Sequence, residues 1–286
     1  MTPALSWLKA VSRAALGPRR HAWLATRAVG GVRRLDEFRW ALGAQGRANR
    51  QRLAALEHAF RGRRCFIIGG GPSVAAMDLA PLRDEVTIGS NAIFLLFERM
   101  GFRPTFYTVE DRLVAEDRAA EINALRGTTK LLPRALSYCL THDERTVWVN
   151  FVYEYEGTPR FSADLRHAGY WGGTVTFFNL QLAFFLGCSE VYLLGIDHSY
   201  QVPARRSGNV ITSSEPDVNH FHPDYFGPGY RWHDPKVERM EAAYLCAREF
   251  ASHHGMAIFN ATVGGRLEVF PRVDFAELFR REERPR

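Results

Sequence analysis

Between positions 65 and 270 the apolar residues fall into two kinds of run. Short stretches rich in apolar and β-branched residues at 65–68, 85–88, 105–109, 130–132, 147–151, 190–194 and 257–259 have the length and bounding turn residues of buried strands. Between them lie helical stretches at 75–82, 92–100, 113–125, 175–186 and 236–254. The last is clearest: Val237, Met240, Ala243, Tyr244 and Ala247 lie near one face, Pro235 precedes it and Gly255 stops it. Residues 267–270 and a helix at 275–280 close the series. Strands alternating with helices predict an α/β fold over 63–286, a Rossmann-like, mostly parallel sheet with helices on both faces.

In such sheets ligands sit outside the carboxyl ends of the strands, and the turns there carry the candidate chemistry. The first strand runs into Gly69, Gly70 and Gly71, which let the backbone approach a ligand, then Pro72 and Ser73 at a predicted helix start, where free N–H groups suit a phosphate. Val74 stands where the dinucleotide fingerprint needs a third glycine, and the second strand ends in Ser90-Asn91 without a carboxylate. This argues against a nicotinamide cofactor, and the lack of Lys-Ser/Thr after the glycines excludes a P-loop. Thr108 to Asp111 end the third strand. Gly172, Gly173 and Thr174 precede a helix, where they suit either an anion or tight packing. Asp197 follows the 190–194 strand, placed to meet a ribose hydroxyl, a metal or an acceptor, or to serve as a loop acid.

A segment without helix or strand periodicity then runs from 198 to 235. Its density of aromatics and histidines predicts an ordered lid. His220, His222 and His233 can exchange protons near neutral pH, and His220 and His222 with Asp224 have a spacing that can also hold a metal.

Charge changes the picture at the N-terminus. Residues 1–64 hold 14 Lys and Arg against 3 Asp and Glu, a net of +11, whereas the whole chain is +6. The expected arrangement is a basic helical extension over 1–62. Its tryptophans among arginines suit an anionic membrane surface, at about 1 kcal/mol per basic residue, or a helix packed on the core or a second subunit. The negative balance of the remainder argues against nucleic acid. No apolar run has the length of a spanning helix or a signal sequence, so the expected location is cytoplasmic, with the inner membrane face as the place for a peripheral arm. The four cysteines have no metal or redox spacing and read as reduced thiols.

From 65 to 279 the chain resembles the MptE-like family, named for an archaeal 6-hydroxymethylpterin pyrophosphokinase. The resemblance rests on IIGGGPS (67–73), TIGSNAIF (87–94), LGCSEVYLLGIDHSY (186–200), NHFHPDYFGPGYRWHDP (219–235) and NATVGGRLEVFPRVD (260–274). The same skeleton is similar to bacterial sialyltransferases and nonulosonic acid transferases that use CMP-activated sugars. That similarity implies nucleotide binding by Gly69–Ser73, Asn91 and Thr108, and His233 as the base. Gly70 stands where those enzymes often have Asn, and their Tyr/Arg set around the leaving phosphate is matched only loosely by Tyr225, Tyr230 and Arg231. The preferred reading is a glycosyltransferase in surface glycan assembly, with a CMP-type donor, a glycan acceptor and no required cofactor. A pyrophosphokinase would need Mg²⁺ held by Asp111, Asp197 and Asp234, with few lysines to assist: Lys130 and Lys236 are the only two after residue 64. A non-catalytic nucleotide-sugar-binding scaffold is the third reading.

Overall fold

The computed structural model describes residues 39–40, 42–201 and 208–280. The chain divides into two units, Met1–Arg52 and Leu53–Arg286. In the first, the described residues include the start of helix α1 (Ala44–Leu56). The basic patterning expected over 1–38 lies outside the described residues.

The second unit is built on seven strands: β1 (Arg64–Ile68), β2 (Val86–Ser90), β3 (Phe106–Thr108), β4 (Thr129–Pro133), β5 (Thr146–Val149), β8 (Glu190–Leu194) and β11 (Ala257–Asn260). They pair in the order β11-β8-β1-β2-β3-β4-β5, every pair parallel. The predicted α/β class is the one observed. Two short strands, β6 (Phe151–Val152) and β7 (Gly169–Tyr170), form a separate parallel pair.

The principal helices are α5 (Val175–Phe185) and α6 (Val237–His253). Almost all of α5 is buried, so it is apolar on every side. Its two internal amides are satisfied: Gln181 bonds Ser162, Tyr170 and Phe177 backbone groups, and Asn179 reaches the strand ends. α6 buries Met240, Ala243, Tyr244, Ala247 and Ala251, one stripe of a 3.6-residue repeat. Short helices α2 (Phe97–Met100), α3 (Arg112–Asp117) and α4 (Ala119–Ala124) complete the outer layers. Among the described residues no helix is long and apolar enough to cross a membrane, and the four cysteines are free thiols.

Two expectations need correction. The stretch after the glycine turn is not a continuous helix but two 3₁₀ turns, Pro72–Ala76 and Ala80–Leu82. Asp78 Oδ1 accepts the Ala80 N–H, and Pro81, which has no N–H to give, restarts the chain there. The lid is not free of strands either: β9 (Val210–Thr212) and β10 (Arg231–His233) form an antiparallel pair.

Candidate functional site

β1 and β8 are neighbours, but the chain continues from β1 toward β2–β5 and from β8 toward β11, so the strand order reverses between them. A crevice at such a switch point is the expected ligand position in this class of sheet. The glycine turn lies there, laced to the end of β8: Gly69 N–H bonds Leu194 O at 2.7 Å and Gly71 N–H bonds Gly195 O at 2.9 Å. A Cβ at Gly69 would stand 2.5 Å from the Gly195 carbonyl, and one at Gly71 only 1.8 Å from Asp197 Oδ2. Both positions therefore require glycine for packing. Ser73 Oγ donates to Asp197 Oδ2 at 2.7 Å, and Arg266 N–H bonds Asp197 O. Asp197 thus ties the turn after β1 to the loop after β11. Pro72 is exposed beside it.

The lid descends onto the middle glycine. A Cβ at Gly70 would lie 2.7 Å from Tyr225 Oη and 2.9 Å from His220 Cδ2, and Phe221 N–H bonds Gly70 O. Tyr225 and His220 are stacked, ring centroids 4.0 Å apart. His220 Nδ1 sits 2.7 Å from Asp217 Oδ2. Burial alone would raise Asp217, but His220 and the N–H groups of Asn219 and Phe226 hold it below the usual carboxylate range. Tyr225 is buried, and that burial keeps its phenol protonated and a donor. Next to it Asn91 takes a left-handed φ of 54°, with its N–H on Thr108 O and its Oδ1 buried without a partner. Such a backbone at a strand end is strain of the kind that clusters at sites.

A second histidine is placed differently. His233, at the end of β10, sets Nδ1 2.7 Å from Asp111 Oδ2, while Asp111 Oδ1 caps α3 by accepting the Leu113 N–H at 2.7 Å. Hydrogen bonding to Asp111 raises the His233 pKa above its ordinary value, against partial burial. The carboxylate accepts only, so Nδ1 carries the proton and Nε2 presents the basic lone pair. The imidazole side chain is 44% exposed. One ring nitrogen is thus oriented by a carboxylate, on an imidazole that is partly open to solvent.

Several predicted residues are engaged elsewhere. Arg231 is held by Glu116 and Asp117 through both its guanidinium and its N–H. The Tyr230 ring lies on the Arg118 guanidinium, 3.7 Å from its centroid, and Arg118 in turn donates to the Asp224 and Tyr225 carbonyls; both residues anchor the lid. Thr108 is fully buried, its hydroxyl closed into a ring of bonds with Ser90 and Asn179, so it ties strand ends and does not reach a ligand. Gly172 packs against Phe177 and Ala243, and Thr174 caps α5 by accepting the Thr176 N–H; packing is the reading the structure supports for this turn. His222 Nδ1 accepts the Asp224 N–H within its own turn.

Among the described residues no three His, Cys, Asp or Glu side chains are arranged to hold a metal. Asp111 is bound to His233, Asp197 to Ser73 and Asp234 to Lys236, so the three carboxylates expected for Mg²⁺ do not form one donor set. The sequence reading also missed a buried carboxyl, Glu110, at the end of β3. Its Oε2 has no partner, and burial, with the neighbouring Asp111 charge, raises its pKa well above the ordinary value. An acid following an apolar strand was the signal available.

No curated protein matches the chain. Among solved structures it is similar to the MAf glycosyltransferase from Magnetospirillum magneticum AMB-1, with 18% identity, a TM-score of 0.48 and coverage of 84% of this chain. It spans 40% of that protein's chain. The family described as 6-hydroxymethylpterin diphosphokinase MptE-like matches residues 45–203, more than half of the 286. The chain belongs to the MptE-like family.

Proposed function

We propose that this protein is a nucleotide-dependent transferase in which His233, oriented by Asp111, takes a proton from an acceptor hydroxyl, and that its donor is a CMP-activated acidic sugar. The observation that carries the reading is the 2.7 Å contact between His233 Nδ1 and Asp111 Oδ2 at the carboxyl end of β3. It fixes the tautomer a general base needs and leaves Nε2 as the basic nitrogen of a partly exposed ring. The hydroxyl proton passes to Nε2, the freed oxygen attacks the anomeric carbon, and the nucleotide leaves as its phosphate. The glycine turn and Asn91 are the places for the nucleotide. Tyr225, protonated and against Gly70, is the donor that remains for the departing phosphate once Arg231 and Tyr230 are assigned to the lid. The acceptor in this reading is a glycan hydroxyl, and the basic arm brings the enzyme to an anionic membrane surface.

The family's own description favours a second reading, diphosphate transfer from ATP to a hydroxymethyl group. Ligand-induced thermal shifts separate the two. A ligand present at about a hundred times its Kd adds about 2.7 kcal/mol of stability. The expected result is stabilisation by CMP or CDP without metal. Stabilisation by ATP with Mg²⁺ alone would replace the sugar reading with the diphosphokinase, and no shift with any nucleotide would leave a scaffold.

A further inference from the structure

Arg239 is half-buried and makes no ion pair among the described residues. It lies in the first turn of α6, and its Nε is buried without an acceptor among the described residues. Its described interactions are with ring faces: Cζ lies 4.7 Å from the Trp171 centroid and 5.1 Å from that of Tyr155. Arg160 approaches the same Tyr155 ring at 5.8 Å, and it too makes no ion pair among the described residues. Two cations therefore share one aromatic platform with no carboxylate to balance them.

The local backbone holds this arrangement firmly. Tyr155 Oη donates to Trp171 O, tying the two rings together. The turn after Trp171 is pressed down at Gly172, where a Cβ would stand 2.4 Å from Phe177 and 2.8 Å from Ala243. Gly173, at a φ of 88°, lies under Arg239: a Cβ there would meet its Cγ at 3.5 Å. A cation in the first turn of a helix also opposes the helix dipole, which favours negative charge at that end. With two rings close to Cζ and Nε left without an acceptor, the N–H groups of the guanidinium are the part left to bind, and their planar fork fits an oxyanion. α6 leads into β11 of a parallel sheet, so its first turn lies at the same end of the sheet as the glycine turn and the His233–Asp111 pair.

We propose that Arg239 anchors an oxyanion subsite, and that the group it takes is the carboxylate of the transferred acidic sugar. This rests on the CMP-sugar reading above. A donor phosphate offers the same chemistry, and the experiment distinguishes the two. Calorimetric titration of the wild type, Arg239→Gln and Arg239→Lys with CMP and with CMP–sialic acid reads the subsite directly. The expected result is that Arg239→Gln weakens CMP–sialic acid by about tenfold or more and leaves CMP unchanged, with Arg239→Lys in between. Equal loss for CMP would place the subsite on the phosphate and overturn the carboxylate assignment. Unchanged affinity for both ligands would overturn the subsite itself. Binding of neither by the wild type would instead overturn the donor reading, and the sugar assignment with it. A Trp171→Phe variant, which keeps an aromatic face, should retain the discrimination; its loss there together with a native melting temperature would overturn the ring-supported geometry.

Discussion

Glu110 and Asp111 are adjacent carboxyls in different surroundings, one buried without a partner and one bound to His233, and each yields a test. Glu110 is buried with an unpartnered oxygen and a raised pKa, so it is neutral in the fold at pH values where the unfolded chain ionises it. Its stabilising contribution is complete below its ordinary value of 4.5 and is lost as pH rises from there toward the folded value. Glu110→Gln should therefore melt higher than the wild type at pH 8 and show no such advantage near pH 4; an advantage independent of pH would contradict the assignment. For the other carboxyl, Asp111→Asn should lower kcat/KM by about 10²-fold or more. Because Asp111 raises the His233 pKa, the wild-type rate should rise with pH through a value above that of an ordinary histidine. The variant's acidic limb should move to lower pH. Identical limbs in the two pH profiles would remove His233 as the base. Of these residues the sequence pointed to His233 and Asp111 singly. Their contact, across 122 positions, was not legible, since no local pattern couples a lid residue to a strand end.

At the scale of elements, the buried strands and α6 were legible because burial imposes a helical period or a short stretch rich in apolar and β-branched residues between turns, and this chain keeps both. The glycine turn was legible as a turn, but not the 3₁₀ geometry that follows it, which depends on Asp78 and Pro81 competing with helix propagation. Likewise the three-residue strands of the lid are too short to show alternation. The family similarity implies nucleotide binding by Thr108, yet its hydroxyl joins α5 to β2 and β3 through Asn179 and Ser90. Thr108→Val would leave Asn179 Oδ1 without its donor and should cost about 1–3 kcal/mol in denaturant titrations, with nucleotide affinity unchanged. A loss of affinity at unchanged stability would restore the residue to the site. The lid is tied down by Arg231 on α3, so Arg231→Met should speed proteolytic cleavage between residues 208 and 230 while the rest of the unit stays protected.

For the whole molecule, the α/β class follows from strand and helix alternation alone, whereas the strand order does not. Nothing in the local pattern says that 190–194 returns to pair with 64–68, and that pairing makes the switch point. The charge asymmetry is likewise a property of the whole chain. If the arm meets an anionic surface, replacing Arg19, Arg20, Arg33 and Arg34 by Gln should weaken sedimentation with phosphatidylglycerol vesicles, at about 1 kcal/mol per residue at low salt, and leave CMP binding intact. Unchanged vesicle binding together with a smaller particle mass would assign the arm to a second subunit instead.

The pairing of β1 with β8 has a consequence for biosynthesis. β1 precedes β8 in the chain, and one of its two edges waits roughly 125 residues for its partner, about ten seconds at ordinary elongation rates. During that interval Cys65 to Ile68 present an apolar backbone edge, and the three glycines after them have neither Leu194 nor Gly195 to bond. The crevice is thus absent from the nascent chain until β8 has emerged.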